Sequence, residues 1–417
     1  MTTTLIFMFL VGYIVIILEE KVKHDKSSIA LLLGTSLWIV YALLSPDISM
    51  VKTHLNHHLQ EIAGIIFFLM GAMTIVELID INLGFNFVLE KIHFTNKKMI
   101  LLTVVVFSFF LSAFLDNLTT AIVMSSMSRK LFKESTERKL AAGLIIISAN
   151  AGGAWSPLGD ITTTMLWISG RISAVNIMSQ LLIPSLVGMI IPYLWIARKF
   201  KGTLAQSPSD IETNNTKERD IIFISGLLLL ILVPIIKIIT DLPPFICMMF
   251  SVGLFWFITE LIHKKKDRNL KNDNSIYVAL QRLDLPSLLF FLGILLSVAV
   301  LDSSQILHTL SVTATEYIPN TNVFSLVIGI ISSIFDNVPI LAAIQGMYST
   351  DIYPMDHSFW VFLAYCVGTG GSLLVIGSAA GVAIMNVEKL EFMWYLKNIT
   401  FPAFIGFVLG AIIFLLV

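Results

Sequence analysis

Hydrophobic residues in this chain are grouped into runs long enough to cross a lipid bilayer. A membrane-spanning helix needs about 20 consecutive apolar residues. Eight continuous runs approach this length, and we interpret each as one span: 3–19, 28–45, 61–80, 176–197, 221–239, 243–262, 286–304 and 398–417. The first run lacks the basic residues that precede the apolar part of a signal peptide, so Leu5–Leu18 is expected to be a retained span.

Glycine, proline, asparagine or aspartate interrupts four longer apolar segments: 98–128, 139–170, 322–349 and 358–386. The positions of Lys and Arg indicate how these segments cross. Suppose that the first and third enter and leave on one face, as re-entrant hairpins, and that the other two are single broken spans. All but three of the 27 Lys and Arg residues then fall on one face, the exceptions being Lys52, Arg171 and Lys237. The positive-inside rule makes the basic face cytoplasmic.

Other ways of drawing the hairpins fit less well. A single crossing at each hairpin would move the basic loops to opposite faces. Two crossings would give each half only ~15 residues, or about 22 Å of helix, which is short of the ~30 Å hydrocarbon core. The sequence therefore predicts an all-α membrane protein with about ten transmembrane helices plus two re-entrant hairpins. Both termini are expected on the outer, periplasmic side of the cell (inner) membrane.

The chain contains an internal repeat. Ser112–Thr119 aligns with Ser332–Pro339, and the Gly-rich segment 151–159 aligns with 369–377, at offsets of 220 and 218 residues. Each copy contains five spans and one hairpin, and an odd number of spans gives the second copy the opposite orientation. We therefore predict two inverted repeats, the arrangement of secondary transporters. The repeats are residues 1–200 and 219–417, joined by a cytoplasmic linker over 201–218.

Composition supports a transporter and excludes several other classes. The chain is 56% hydrophobic and 13% charged, with a mean hydropathy of +0.86, whereas soluble proteins contain about 25% charged residues. A net charge of −1 gives no indication of a nucleic-acid partner. No phosphate-binding GxxxxGK[ST] motif is present, so we expect an ion gradient as the driving force, with no enzyme activity and no cofactor.

Cysteine and histidine residues add no clear site at this stage. Cys247 and Cys366 lie in separate apolar runs and are expected to be buried and unpaired. His54, His57 and His58 precede the third span, in a predicted outside loop without other metal-ligand residues. The sequence therefore does not favour a zinc site there.

Acidic residues at membrane depth are costly and therefore indicate function. Asp116 and Asp336 lie in the middle of the two hairpins, and each is followed by an asparagine, Asn117 or Asn337. Carboxylate, amide and freed carbonyl oxygens at a hairpin tip suit a small hard cation. The alternative is that each Asp-Asn pair is a turn that caps a helix.

The broken spans contain further oxygen atoms. Thr119, beside the first tip, is a candidate cation and proton ligand. The candidate ligands in the broken spans are Asn150, Ser156, Asp160, Thr162, Thr163, Thr369, Ser372 and Ser378. Only the first broken span contains an acid, so we predict a principal Na+ and proton site at Asp116, Asn117 and Asp160. Asp336 would then stand in a second site with Asn337 and hydroxyl groups. Glu77 in the third span is a candidate proton relay, or else a surface acid near a helix end.

Three segments together carry a family resemblance: Phe114–Met124, Asn150–Thr163 and Phe335–Pro339. The chain resembles the NhaD-type sodium/proton antiporters of the ion transporter superfamily over essentially its whole length. The resemblance implies exchange of cytoplasmic Na+, with Li+ as a second candidate, for external H+. It also implies a homodimer in which each subunit has a scaffold domain and an elevator-like transport domain.

The same superfamily includes divalent-anion/sodium symporters and arsenite exporters, so dicarboxylate symport or metalloid export is the alternative function. The symporters have Ser-Asn-Thr at both hairpin tips, whereas both tips here begin with aspartate and the second continues with Val-Pro. A carboxylate repels a dicarboxylate and attracts a cation. An anion transporter would favour Arg or Lys at a tip, and neither tip has one. A channel or receptor is a third possibility, which the repeat disfavours.

The predicted topology can be tested by cysteine labelling with a membrane-impermeant reagent. A cysteine at Lys201 or Lys265 should react only from the cytoplasm, and one at Asn322 or Ser349 only from outside, because a re-entrant hairpin returns to the face that it entered. Reaction of Asn322 and Ser349 variants from opposite faces would show that the second hairpin is a full span.

Overall fold

A computed structural model describes residues 1–17, 24–87, 95–203, 216–263 and 275–416, and these residues form an all-helical protein. Most of the predicted linker lies outside the described residues, as does the basic run 264–266.

The continuous spans are helices with the predicted order. Numbered along the whole chain, they are α1 Thr2–Ile17, α2 Lys26–Leu44, α3 Ile48–Ile81, α8 Ala174–Ile196, α9 Thr216–Thr240, α10 Pro244–His263, α12 Leu285–Ser303 and α19 Phe401–Leu416. Seven stretches of the described residues are long and apolar enough to cross a membrane, and they correspond to all of these helices except α1. The chain is therefore a multi-span membrane protein, and the total of ten spans stays a prediction.

Each interrupted segment forms two helices with a break between them. The pairs are α4 Lys97–Ser112 and α5 Asn117–Leu131, α6 Ser135–Ala154 and α7 Ile161–Ile168, α14 Thr321–Ile331 and α15 Asn337–Met347, and α16 Ser358–Gly370 and α17 Ala379–Glu388. The predicted breaks at all four segments are confirmed. Short helices α11 Ile276–Arg282, α13 Ile306–Tyr317 and α18 Phe392–Tyr395, a 3₁₀ turn at Ala197–Lys199 and a π-helical turn at Leu396–Thr400 complete the described elements.

Helix α3 begins well before its apolar run. It starts at Ile48, where the Asp47 side chain accepts hydrogen bonds from the Ser49 and Met50 N–H groups. The prediction that His54, His57 and His58 lie in a loop is therefore wrong. An N-cap residue can start a helix wherever its side chain accepts hydrogen bonds from the first N–H groups. The first part of α3 is polar, so a search for apolar runs does not detect it.

Two other elements differ from expectation. Helix α13 lies between two apolar runs, in a stretch expected to be a loop. Its sequence is amphipathic, so it does not stand out as an apolar run. The last span begins before its apolar run: α18 continues through a π-helical turn, Leu396–Thr400, into α19.

Close backbone contacts join each hairpin to a broken helix, and the same contact occurs twice. A Cβ atom added to Gly152 of α6 would lie 2.1 Å from the Phe109 carbonyl oxygen of α4. A Cβ added to Gly370 of α16 would lie 2.1 Å from the Gly329 carbonyl oxygen of α14. Only glycine permits such approach, so these residues fix the hairpins against the broken helices.

Serine hydroxyl groups reinforce both contacts. Ser112 Oγ donates to the Ala149 carbonyl oxygen at 2.6 Å, and Ser332 Oγ donates to the Val367 carbonyl oxygen at 3.1 Å. Each bond runs from the end of a hairpin's first helix to the adjacent broken helix. The two hairpin tips are thus held by equivalent contacts to the broken helices.

Substitution of Gly370 by alanine should destabilise the protein. The added methyl group would clash with the Gly329 backbone, which cannot rotate away as a flexible side chain could. Overpacking typically costs ~1–3 kcal/mol. We expect Gly370→Ala to lower the Tm of the purified protein in detergent. Gly253→Ala is the matched control, since nothing lies within 4 Å of its added Cβ. Equal Tm values for Gly370→Ala and the parent would contradict the close contact.

Candidate functional site

Both hairpin tips place an aspartate at the N-cap of the second hairpin helix. Asp116 caps α5: its Oδ1 accepts the Thr119 N–H at 2.8 Å, and its Oδ2 accepts the Thr119 hydroxyl at 2.7 Å. Asp336 caps α15 by accepting the Val338 N–H at 3.2 Å. The capping interpretation of the Asp-Asn pairs is therefore confirmed. It does not exclude ion binding, because a carboxylate oxygen can accept more than one interaction.

The broken helices are capped in the same way. Asp160 Oδ1 accepts the Thr162 N–H at 3.3 Å at the start of α7, and Ser378 Oγ accepts the Gly381 N–H at 3.2 Å at the start of α17. Four helix N-termini, each with a partial positive charge, therefore begin at the four breaks. Three of them carry a carboxylate of the chain itself.

A chain of side-chain hydrogen bonds connects the first hairpin to both broken helices. Asn117 Nδ2 donates to Asn150 Oδ1 at 2.9 Å, and Asn150 Nδ2 donates to Ser378 Oγ at 3.0 Å. All three residues are buried. Asn150 thus links the first tip to the start of α17, which follows the break in the second broken helix.

Some buried oxygen atoms at the breaks find no hydrogen-bond partner among the described residues: Asp160 Oδ2, Thr162 Oγ1 and Asn337 Oδ1. The Asp160 side chain is only 4% exposed. Buried polar atoms are normally paired, and an unpaired one calls for an explanation such as an ion. These oxygens therefore fit a cation.

The structure brings the two predicted sites into one region. A Cβ added to Gly368 of α16 would lie 3.6 Å from Asp160 Oδ2, so the carboxylate at the start of α7 faces the second broken helix. The charges of both Asp336 and Asp116 act on Asp160. Asp160 thus lies within electrostatic reach of both tips.

The remaining predicted hydroxyl groups donate to backbone carbonyls. Ser156 donates to Ala113 O across the hairpin contact. Within the broken helices, Thr163 donates to Asp160 O at 2.9 Å, Thr369 to Tyr365 O at 2.6 Å and Ser372 to Thr369 O at 2.7 Å. These groups hold the shape of the breaks.

A cavity of about 460 Å³ leads to the hairpin tips. The predicted residues that line it are Glu77, Asp116, Asn117, Thr119 and Asp336. Asp160 and the other predicted ligands are not among the lining residues. Glu77 is half-buried in the penultimate turn of α3, where Asp80 and Asp116 are among its charged neighbours.

Four charged residues of the cavity were not predicted as part of the site: Lys26, Asp80, Lys130 and Asp284. They lie where α2 and α12 begin and where α3 and α5 end, so the cavity reaches one end of the bundle. We call this end the basic face, because Lys26 and Lys130 belong to the predicted basic side. The acidic lining residues are Glu77, Asp80, Asp116, Asp284 and Asp336, five carboxylates against two ammonium groups.

The Asp284 position carries a sequence signal for a helix start. Its side chain caps α12 by accepting the Ser287 N–H at 3.2 Å. An acid immediately before an apolar run marks a helix start at the membrane surface. Its closeness to the hairpin tip depends on tertiary packing.

Comparison with known proteins agrees with this architecture. Residues 13–363 match the family model described as "Citrate transporter". Sodium/proton antiporter 1 of Arabidopsis thaliana is 42% identical over 414 residues, covering 98% of this chain and 71% of that protein. Sodium/proton antiporter 2 of the same plant is 39% identical over 98% of each chain. The Na+/H+ antiporter NhaD of Vibrio cholerae is 29% identical, covering 99% of this chain and 91% of that protein.

The matches to these three antiporters extend over nearly the whole chain and include both hairpins and both broken helices, and the family model covers residues 13–363. The chain is therefore a membrane transporter of the citrate-transporter family and, within that family, belongs with the NhaD-type sodium/proton antiporters.

Proposed function

We propose that this protein exchanges Na+ for H+ and that the two ions compete for Asp116 and Asp160. The observation that carries the proposal is the set of three aspartates at the helix breaks, one of them buried with an unpaired oxygen. The names of the plant and bacterial relatives support sodium and protons as the substrates.

Competition follows from the cost of a buried charge. An ionised carboxylate without a partner loses several kcal/mol of hydration in a protein interior, so Asp160 needs either a proton or a cation. Na+ is a hard cation that binds carboxylate, amide and hydroxyl oxygens. A carboxylate neutralised by one ion has lower affinity for the other, and this exclusion couples the two fluxes.

The alternative is transport of an anion such as a dicarboxylate, in line with the description of the family model. Helix N-termini do bind anions, through free N–H groups and the helix dipole. In this chain, three of the four N-termini at the breaks are already occupied by Asp116, Asp160 and Asp336. The excess of carboxylates in the cavity also repels an anion, and the charge pattern therefore favours a cation.

The contact pattern supports two inverted repeats with the predicted bounds 1–200 and 219–417. Helix α5 of the first repeat contacts α17 of the second, and α15 of the second contacts α7 of the first. The equivalent helices α6 and α16 also contact each other, as do α8 and α19. Such exchanged pairs are what a two-fold relation between repeats produces.

We also propose the direction of exchange. The cavity that leads to Asp116 and Asp336 contains the Lys26 and Lys130 side chains, and the positive-inside rule makes the basic face cytoplasmic. In this conformation the tips are reached from the cytoplasm, so cytoplasmic Na+, or Li+, would load there and external protons would return. The homodimer stays a prediction.

Asp116→Asn should reduce Na+-driven proton movement in everted vesicles to the level of vesicles without the protein, because the change removes charge at nearly constant shape. A fluorescent pH probe would record the response to Na+, Li+, K+ or citrate. Asp47→Asn is the control: it changes an exposed N-cap of α3 to another good cap. Near-normal exchange by Asp116→Asn would contradict the proposal, and a wild-type response to citrate alone would favour the anion alternative.

Asp160→Asn should weaken Na+ binding and flatten its pH dependence. In the parent protein, apparent Na+ affinity should rise with pH and then level off, since protons leave the shared carboxylates as pH rises. With one carboxylate fewer, fewer protons are displaced per bound Na+, and the slope should fall. The measurement is apparent Na+ affinity against pH for both proteins. An identical slope in the variant would show that Asp160 takes no part in the competition.

A further inference from the structure

A second cavity, of about 710 Å³, lies toward the other end of α3. Its lining includes His57, His58 and Glu61, near the start of α3, whereas Glu77 lines the first cavity near the end of that helix. Sixteen residues of helix separate Glu61 from Glu77, or about 24 Å. Arg171 and Lys237 line the second cavity, and both belong to the predicted basic-poor side.

Three potential metal ligands converge in this cavity. Residues 57, 58 and 61 lie on one side of α3, because positions three and four apart are neighbours on a helix. One ligand atom from each of His57, His58 and Glu61 lies within 4.8 Å of the other two. Two donors bound to zinc at ~2.1 Å lie at most about 4.2 Å apart, so a small side-chain rotation brings this set to ligand geometry.

A fourth residue is suited to orient one of the histidines. His58 Nδ1 lies 3.7 Å from Glu61 Oε2, and His58 Nε2, on the other side of the ring, lies 3.8 Å from Asp302 Oδ2 of α12. Metal-bound histidines commonly direct the second ring nitrogen toward a carboxylate, which fixes the ring and its tautomer. His58 therefore has a potential co-ligand on one side and an orienting carboxylate on the other.

We propose that His57, His58 and Glu61 bind a divalent transition metal of the Zn²⁺ class, with Asp302 as the residue that positions His58. Two imidazoles and one carboxylate suit zinc with a water in the fourth position, and hard cations such as Ca²⁺ prefer all-oxygen sites. The site does not depend on the proposed exchange of Na+ and H+.

Arg171 and Lys237 are the cationic lining residues that oppose a metal ion here. Lys237 is paired with Asp241, whereas the field of Arg171 reaches Glu61 and Asp302. Its guanidinium group is directed elsewhere: it donates to Tyr348 O at 2.8 Å and Gln345 O at 3.0 Å, and it lies 4.7 Å from the Trp360 ring centre. Arg171 lowers the affinity for a cation without occupying the ligand positions.

The position of the site predicts an effect on transport. The second cavity is lined by residues of six helices, namely α3, α9, α10 and α12 together with α7 and α15. Helices α7 and α15 also carry Asp160 and Asp336 at their N-caps. An ion held by His57, His58 and Glu61 would occupy space in the cavity between α3 and these two helices. We expect the occupied space to restrain the approach of α7 and α15 to α3, so Zn²⁺ should inhibit exchange.

The test is Zn²⁺ binding to the purified full-length protein, measured by competition with a chromophoric zinc indicator. The parent should show a saturable site that His58→Gln and Glu61→Gln lose. Asp302→Asn should weaken that site by about 10–100-fold, as expected for an orienting partner. His54→Gln is the matched control: it lies on the same helix, its Nδ1 is 3.3 Å from the Tyr41 hydroxyl, and it is outside the cluster.

Two results would overturn the site: unchanged Zn²⁺ affinity in both His58→Gln and Glu61→Gln, or an equal loss in His54→Gln. The effect on transport is judged separately in proteoliposomes. We expect Zn²⁺ to inhibit the parent and not the His58→Gln variant. Zinc binding without inhibition would contradict the proposed restraint of the helices. It would not contradict the proposed metal site.

Discussion

The burial of carboxylates at helix breaks is the constraint on which the rest of the site depends. Asp116, Asp160 and Asp336 each satisfy the first N–H groups of a helix, and the partial positive charge of that helix end stabilises them. This stabilisation is incomplete, since Asp160 keeps a buried oxygen without a partner among the described residues. A bound proton or cation would neutralise the remaining charge. Competition between two ions requires a carboxylate whose charge the protein itself leaves partly uncompensated.

The breaks exist because the backbone around them is held by close packing. Gly152 and Gly370 let the broken helices touch the hairpin backbones, and the Ser112 and Ser332 hydroxyls fasten the same junctions. Asn150 then joins the first hairpin to the second broken helix through Ser378. Short, buried polar contacts therefore connect the first tip to the start of α17.

The local features of the site were predictable, because they depend on polar residues that are unusual within apolar segments. Polar residues inside apolar runs predicted the breaks at 113–116, 155–160, 332–336 and 371–378, and the Asp-Asn pairs marked the tips. Features that depend on long-range packing were not predictable. The sequence placed Asp336 in a separate site, whereas the structure brings it, with Asp116, to one cavity. It also placed His57 and His58 in a loop, since the polar first part of α3 has no apolar pattern.

The central claim is that Na+ and protons compete for the same carboxylates, and the most direct test is a proton count on Na+ binding. NaCl is added to the purified protein in weakly buffered detergent solution, and a pH indicator measures the protons released, with choline chloride as the reference. We predict saturable proton release with Na+ and none with choline, and a smaller release from Asp160→Asn. Saturable Na+ binding without proton release would contradict the account.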